Sequence, residues 1–158
     1  VAISMLTLLY HANHPPVYRG AYSRAQGVFR RAGDNAQDET FPGLLLLRTE
    51  GRLNFANAAN VSARMQALIA QTQPPPQVIV LDCSAIPDIE YTALLMLTEA
   101  EQSLRARGIE LWLAGVAPDL RQLLDRAPLG EALGPQRVFH NLFKALEAWQ
   151  SRGGEPGQ

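Results

Sequence analysis

Two carboxylates and two hydroxyls stand together in the middle of the chain, between two apolar runs of different period. They are Asp88, Glu90, Tyr91 and Thr92, and they follow the apolar run 78–83. This order predicts either a functional site or only the join between a strand and a helix. In the second interpretation, Asp88 is the N-cap of the helix, and the helix dipole stabilises Glu90 in the first turn. Thr92 is then simply an early helical residue.

The other reactive side chains form no complete catalytic or metal-binding set. Cys83 follows a strand, as a phosphatase nucleophile would, but the residue six positions later is Ile89 and not an arginine that could hold phosphate. Cys83 is therefore predicted to be a small buried hydrophobe. His11 and His14 have the spacing of a metal pair, but no cysteine or carboxylate stands nearby to complete the shell. We expect no catalytic residue, no cofactor and no metal.

Composition predicts one globular domain without affinity for nucleic acid. The chain has 158 residues, of which 47% are hydrophobic, which is enough for a proper core. Its 14 basic and 15 acidic residues give a net charge of −1, whereas nucleic-acid binding depends on clustered lysine and arginine. The single cysteine excludes an internal disulfide.

Hydrophobic periodicity predicts the elements that must position the central polar residues. The predicted strands are 44–49, 52–55, 78–83 and 109–114, with the first two joined as a hairpin at Glu50-Gly51. The predicted helices are 57–71 with Asn57 as its cap, 90–107, a short helix from Pro118, and a last helix that Asn141 caps. Strands that alternate with helices indicate an α/β domain, in which a right-handed crossover joins the parallel strands 78–83 and 109–114.

The expected fold is a small, mixed and mostly parallel sheet flanked by about four helices. The apolar strand runs indicate which side chains fill its core. The expected core residues are Leu45, Leu47, Val78, Val80, Leu81, Leu111 and Leu113.

The ends of the chain differ from its middle in composition. Residues 1–10 are apolar and uncharged but too short to span a bilayer, so we expect 1–12 to be the end of a preceding membrane helix. The polar segment 13–41 is predicted to be a linker that could hold one edge strand, and its arginines place it on the cytoplasmic side of the membrane. The folded domain is expected at 42–150, and the tail 151–158 is predicted to be disordered.

Three segments together resemble a STAS domain, and specifically the cytoplasmic C-terminal STAS domain of SulP anion transporters. They are "PGLLLLRTEGRLNFANA" (42–58), "VIVLDCSAIPDIEYTALLML" (78–97) and "RARGIELWLAG" (105–115). The resemblance implies a STAS-type fold and a non-catalytic regulatory domain at the cytoplasmic face of the cell membrane. The parent would transport sulfate, bicarbonate or a dicarboxylate. The implied partner is the membrane part of the same chain, with a soluble cytoplasmic protein or a second copy as further partners.

A free-standing anti-sigma-factor antagonist is the alternative that this resemblance leaves open. In those proteins an Asp-Ser-Ser/Thr-Gly motif at the same join is phosphorylated on its second hydroxyl residue. The motif falls on Glu90, Tyr91, Thr92 and Ala93 here, so only the hydroxyl of Thr92 matches the acceptor. Glu90 would repel a phosphate on Thr92, and Tyr91 would crowd it. We therefore predict a contact surface at this join rather than a phosphorylation switch.

Overall fold

The computed structural model describes residues 1–33 and 36–153, and one six-stranded sheet forms the centre of this part of the chain. The strands are β1 (Val17–Ser23), β2 (Val28–Arg31), β3 (Leu44–Thr49), β4 (Val78–Asp82), β5 (Glu110–Ala114) and β6 (Val138–Phe139). The helices are α1 (Ala2–Asn13), α2 (Phe55–Ala70), α3 (Tyr91–Ala106), α4 (Pro118–Leu124), α5 (Pro128–Leu133) and α6 (Leu142–Ser151). A 3₁₀ turn at Pro135–Arg137 precedes β6.

The sheet is mixed, and its strands follow the order β2-β1-β3-β4-β5-β6. The strands β3 to β6 run parallel to one another, whereas β1 runs antiparallel to both β3 and β2. In the parallel part, Leu45 lies beside Ile79, and Ile79 lies beside Leu111. The predicted α/β fold with a small, mixed and mostly parallel sheet is confirmed.

Helices cover both faces of the sheet, which explains the continuous apolar runs of its central strands. On one face, Leu81 packs in a cluster with side chains of α2, α3, α4 and α5. On the other face, Val80 packs with side chains of α6, among them Trp149. A strand that is covered on both faces needs apolar residues at successive positions, and all of β4 is buried. The seven predicted core residues are all buried, as expected.

The predicted hairpin between 44–49 and 52–55 does not form. Leu53 makes one isolated parallel bridge to Ile89, and α2 already begins at Phe55. The N-cap of α2 is Asn54 rather than the predicted Asn57, because the Asn54 side chain accepts from the backbone N–H groups of Ala56 and Asn57. Asn57 is the third helical residue, and its side chain accepts from the Asn54 N–H to complete a capping box.

The predicted linker 13–41 contains two strands of the sheet rather than one edge strand. In β1, Val17 and Ala21 are 4% and 1% exposed, and the Arg19 guanidinium donates to the Leu68 carbonyl of α2 at 3.0 Å. The segment is polar and contains prolines and glycines, which occur in edge strands more readily than in central ones. Its composition therefore did not reveal that β1 and β2 form a hairpin. The folded unit therefore includes β1, which pairs with β3.

The cap of the last helix agrees with prediction, whereas the number of helices in the described residues differs from it. The Asn141 side chain accepts from the Lys144 N–H at 3.0 Å, which confirms it as the cap of α6. The described residues contain six α-helices rather than about four, because α1 is helical and the short helix α5 follows α4 directly. Helix α6 ends at Ser151, and residues 154–158 of the predicted tail lie outside the described residues.

Candidate contact surface at the start of the third helix

The loop between β4 and α3 is held in place by backbone hydrogen bonds to the segment before α2, among them one from Gly51 to Ala85 at 2.9 Å and two that Leu53 makes. The Leu53 N–H donates to the Asp88 carbonyl at 3.1 Å, and the Glu90 N–H donates to the Leu53 carbonyl at 2.9 Å. Two loop side chains, Ile86 and Ile89, are 1% and 4% exposed and anchor the loop in the core. The residues that follow the loop are therefore presented in a fixed position.

Asp88 is not the N-cap of α3, in contrast to the sequence-based prediction. The bonds to Leu53 keep residues 88–90 out of the helix, so that Glu90 occupies the N-cap position with an extended backbone. The Asp88 carboxylate instead pairs with the Arg52 guanidinium at 3.0 Å, and both side chains are more than half exposed. An exposed ion pair of this kind contributes little to stability.

Glu90 links the amino-terminal ends of two helices. It is the N-cap residue of α3, and its carboxylate accepts a hydrogen bond from the Phe55 N–H, the first residue of α2, at 3.3 Å. A negative charge is favourable there because the free N–H groups give the start of a helix a partial positive charge. Glu90 therefore places a negative charge at the start of α2, while its side chain makes no cap hydrogen bond to α3.

Four exposed residues stand near Glu90, one at the start of α2 and three in the first turns of α3. Phe55 is 71% exposed and Tyr91 is 51% exposed, and Thr92 is exposed beside them. Leu95 is 38% exposed and lies one helical turn after Tyr91 on the same side of α3. We name these four residues together with Glu90 the contact surface. It combines apolar area with one acidic group, which suits binding to another protein surface.

The structure brings together three of the four predicted site residues and adds two that the sequence analysis missed. Glu90, Tyr91 and Thr92 belong to the contact surface, whereas Asp88 lies at its margin in the ion pair with Arg52. The missing members are Phe55 and Leu95. Leu95 could have been found from its spacing to Tyr91, but Phe55 reaches the surface only because Leu53 holds α2 against the loop.

Cys83 is confirmed as a buried residue. Its side chain is packed in the core at 2% exposure, and its thiol donates to the Leu81 carbonyl at 3.6 Å. Burial raises the pKa of the Cys83 thiol to about 12, and the negative charge of the neighbouring Asp82 adds to this rise. A thiol that stays protonated at neutral pH is a poor nucleophile.

His11 and His14, which were not expected to bind a metal, lie at the end of α1. The His14 Nδ1 is 2.8 Å from the Tyr10 carbonyl, and the His14 ring stacks on the Tyr10 ring at 4.1 Å. Within residues 1–33 and 36–153, no three histidine, cysteine, aspartate or glutamate side chains are grouped so that they could hold a metal ion.

Helix α1 is apolar, yet none of its residues is buried. Its most exposed large side chains include Ile3, Leu6 and Leu8, at 81%, 66% and 70%. No helix in the described ranges has both the length and the hydropathy that crossing a bilayer requires.

Comparison with known proteins assigns the family. The STAS domain family model matches residues 35–147. The probable sulfate transporter Rv1739c of Mycobacterium tuberculosis is 32% identical over 154 residues, which are 96% of this chain but 27% of that protein. The chain thus spans about a quarter of the length of this relative.

Solved structures show the same fold. The murine anion transporter Slc26a9, in its inward-facing state, matches 96% of this chain with 25% of its own length, at a TM-score of 0.82 and 15% identity. The unphosphorylated anti-sigma factor antagonist SpoIIAA matches 72% of this chain, at a TM-score of 0.55 and 16% identity. From the family match and the extent of the similarity to Rv1739c, the chain belongs to the STAS family, in the branch that SulP transporters carry as a C-terminal domain.

Proposed function

We propose that this chain is the non-catalytic regulatory domain of a SulP-type membrane anion transporter and acts at the cytoplasmic face of the cell membrane. The observation that carries the proposal is the similarity to a probable sulfate transporter along 96% of the chain. The contact surface supports it, because exposed apolar side chains around one carboxylate suit binding to a protein rather than chemistry on a small molecule.

In this proposal, α1 is the cytoplasmic end of the last membrane helix of the parent transporter. Its apolar side chains point to all sides and none is buried, as is typical of a helix that is surrounded by lipid or by other membrane helices. The arginines that follow, Arg19, Arg24, Arg30 and Arg31, favour the cytoplasmic side for the rest of the chain.

The domain would act by contact and without catalysis. Its proposed partner is the membrane part of the same parent chain, to which α1 leads. Binding there would favour one conformation of the transporter over another and so set its rate. Binding of a soluble cytoplasmic protein, or of a second copy of the chain, stays a prediction from the sequence. The transported anion is proposed to be sulfate, as the name of the relative suggests, or a bicarbonate or dicarboxylate anion of the same class.

The alternative of a free-standing anti-sigma-factor antagonist has less support. Phosphorylation of Thr92 would place a second negative charge beside the Glu90 carboxylate, which already accepts from the start of α2. Repulsion between the two charges would oppose the modification that partner switching needs.

The proposal is tested by ending the parent transporter after Asn13. This truncation keeps α1 and removes the whole sheet, whereas a cut at Phe41 would leave β1 and β2 without their partner strand β3. We expect anion uptake per transporter in the membrane to fall. A full-length parent with Leu81→Asp, whose domain should not fold, is the matched control and should behave like the truncation. Unchanged uptake in both would contradict a regulatory role.

A further inference from the structure

We propose that Asn57 is a positioning residue that fixes the direction in which α1 leaves the domain. The inference rests on the proposed function, in which α1 leads to the membrane part of a transporter. In that setting, the direction of α1 decides how the contact surface is oriented towards its partner.

One carboxamide group joins three segments of the chain at this point. The Asn57 Nδ2 donates to the Ala12 carbonyl at 3.1 Å and to the Arg52 carbonyl at 2.9 Å, and its Oδ1 accepts from the Asn54 N–H at 3.0 Å. Asn57 is 1% exposed, so these bonds are made away from water, where an unpaired polar group would be costly. The end of α1, the segment before α2 and the first turn of α2 therefore share one fixed group.

The end of α1 depends on polar contacts because no side chain of α1 is buried. The last carbonyl groups of a helix have no partner within the helix and carry its partial negative charge. Two asparagines of α2 donate to them, Asn57 to Ala12 and Asn60 to Asn13, the latter at 2.9 Å. Asn60 is exposed, so water can replace its bond at small cost, whereas the buried Asn57 has no such substitute.

The Asn57 carboxamide is connected to the contact surface through a few backbone hydrogen bonds. The Arg52 carbonyl that Asn57 binds directly precedes Leu53, whose backbone is bonded to Asp88 and Glu90. Glu90 then binds the Phe55 N–H at the start of α2. A continuous set of hydrogen bonds thus connects the end of α1 with the residues that present the contact surface.

The variant Asn57→Asp separates the two functions of this side chain. An aspartate has the same shape and still accepts from the Asn54 N–H, so the capping box is kept. It has no N–H group to donate, and its charge faces the two carbonyl oxygens that Asn57 binds. Asn57→Ala removes the donors and the capping-box acceptor without adding charge. The matched control is Asn60→Asp, which removes an exposed donor to the same end of α1.

The direct test measures the direction of α1 in the full 158-residue chain. Spin labels on Leu6→Cys in α1 and Gln102→Cys in α3 give the distribution of distances between the two helices, and the buried Cys83 should stay unlabelled. We expect a narrow distribution with Asn57 and a clearly broader one with either Asn57 variant. Hydrogen exchange of the amides in the last turn of α1 should become about tenfold faster, because one buried hydrogen bond is worth about that factor. Exchange of β4 amides should stay slow, which shows that the domain is folded.

Each result decides the inference. A distribution that stays narrow in both Asn57 variants would overturn it, as would equal broadening in Asn60→Asp. In the parent transporter, Asn57→Asp should shift the uptake rate towards that of the truncation after Asn13. If the truncation lowers uptake, full uptake by Asn57→Asp with a broadened distribution would overturn the link between the direction of α1 and transport. If the truncation itself leaves uptake unchanged, the proposed function fails, while the distance measurement still decides whether Asn57 fixes α1.

Discussion

At the scale of residues, the Glu90 carboxylate determines what the start of α3 can do. It stands at the N-terminal ends of α2 and α3 and accepts from the Phe55 N–H. A helix start attracts an anion through its free N–H groups, and at the start of α2 the Glu90 side chain supplies that anion. Thr92 is left as an exposed residue next to an existing negative charge.

Thr92→Glu should therefore change transport by the parent little more than Thr92→Ala does. Both variants remove the hydroxyl, and the added carboxylate only repeats a charge that Glu90 already provides. Uptake assays of the two variants, together with mass spectrometry of the protein from cells, check this prediction. A sharp difference in uptake between them, with phosphate found on Thr92, would support the phosphorylation switch.

The sequence was sufficient to find the polar residues at this join but not their roles. Glu90, Tyr91 and Thr92 lie where the predicted strand-to-helix join placed them. The cap position was wrong by two residues because the start of α3 is determined by bonds to Leu53, a contact between distant parts of the chain. Asp88 has the residue type of a cap, and only the tertiary structure shows that it pairs with Arg52 instead.

At the scale of elements, burial on both faces explains which strands could be predicted. Strands β3, β4 and β5 are covered by helices on both sides and read as continuous apolar runs. Strands β1 and β2 form the antiparallel edge of the sheet. There, half-exposed residues such as Arg19 and Gly20 interrupt the apolar run by which a strand is recognised in the sequence. The short helix α5 has only six residues, too few to show a helical period.

Leu81→Ala should lower the free energy of unfolding by about 2–5 kcal/mol, the range for removing a large side chain from a packed core. Leu81 is 1% exposed in the centre of β4, so the cavity would lie between the sheet and the helices on one face. Denaturant titration of the 158-residue chain measures the effect. Leu95→Ala is the matched control, and its 38% exposure predicts a much smaller loss. Equal losses in the two variants would contradict the assignment of β4 as the central strand.

At the scale of the whole molecule, the end of α1 and the starts of α2 and α3 meet on one side of the domain. Hydrogen bonds from Asn57 to Ala12 and from Phe55 to Glu90 join these three helix ends. The other end of the molecule is joined by Glu110 of β5, which accepts from Trp112 at 2.9 Å and from Arg152, after α6, at 3.1 Å. The proposed membrane-facing side is therefore separate from the ionic link that holds α6.

This ionic link predicts how stability depends on pH. Burial alone would raise the pKa of Glu110, but the bonds from Trp112 and Arg152 and the charge of Arg137 outweigh it and lower that pKa. A lowered pKa in the folded state stabilises the fold above the ordinary glutamate value of about 4.3, and this contribution is lost as the pH falls through the lowered value. The Glu110→Gln variant of the 158-residue chain should thus be less stable at pH 7 than the unsubstituted chain. The difference should shrink in denaturant titrations as the pH falls below about 4. A difference that is independent of pH would contradict this account.

We propose that the domain sets the rate of a transporter without forming part of the path of the anion. The most direct test is uptake of competing anions by the full-length parent and by the parent that ends after Asn13. We predict that the rate per transporter falls while the ratio of uptake rates for sulfate, bicarbonate and a dicarboxylate stays the same. A changed ratio would contradict the account, because the domain would then have to contribute to the permeation path.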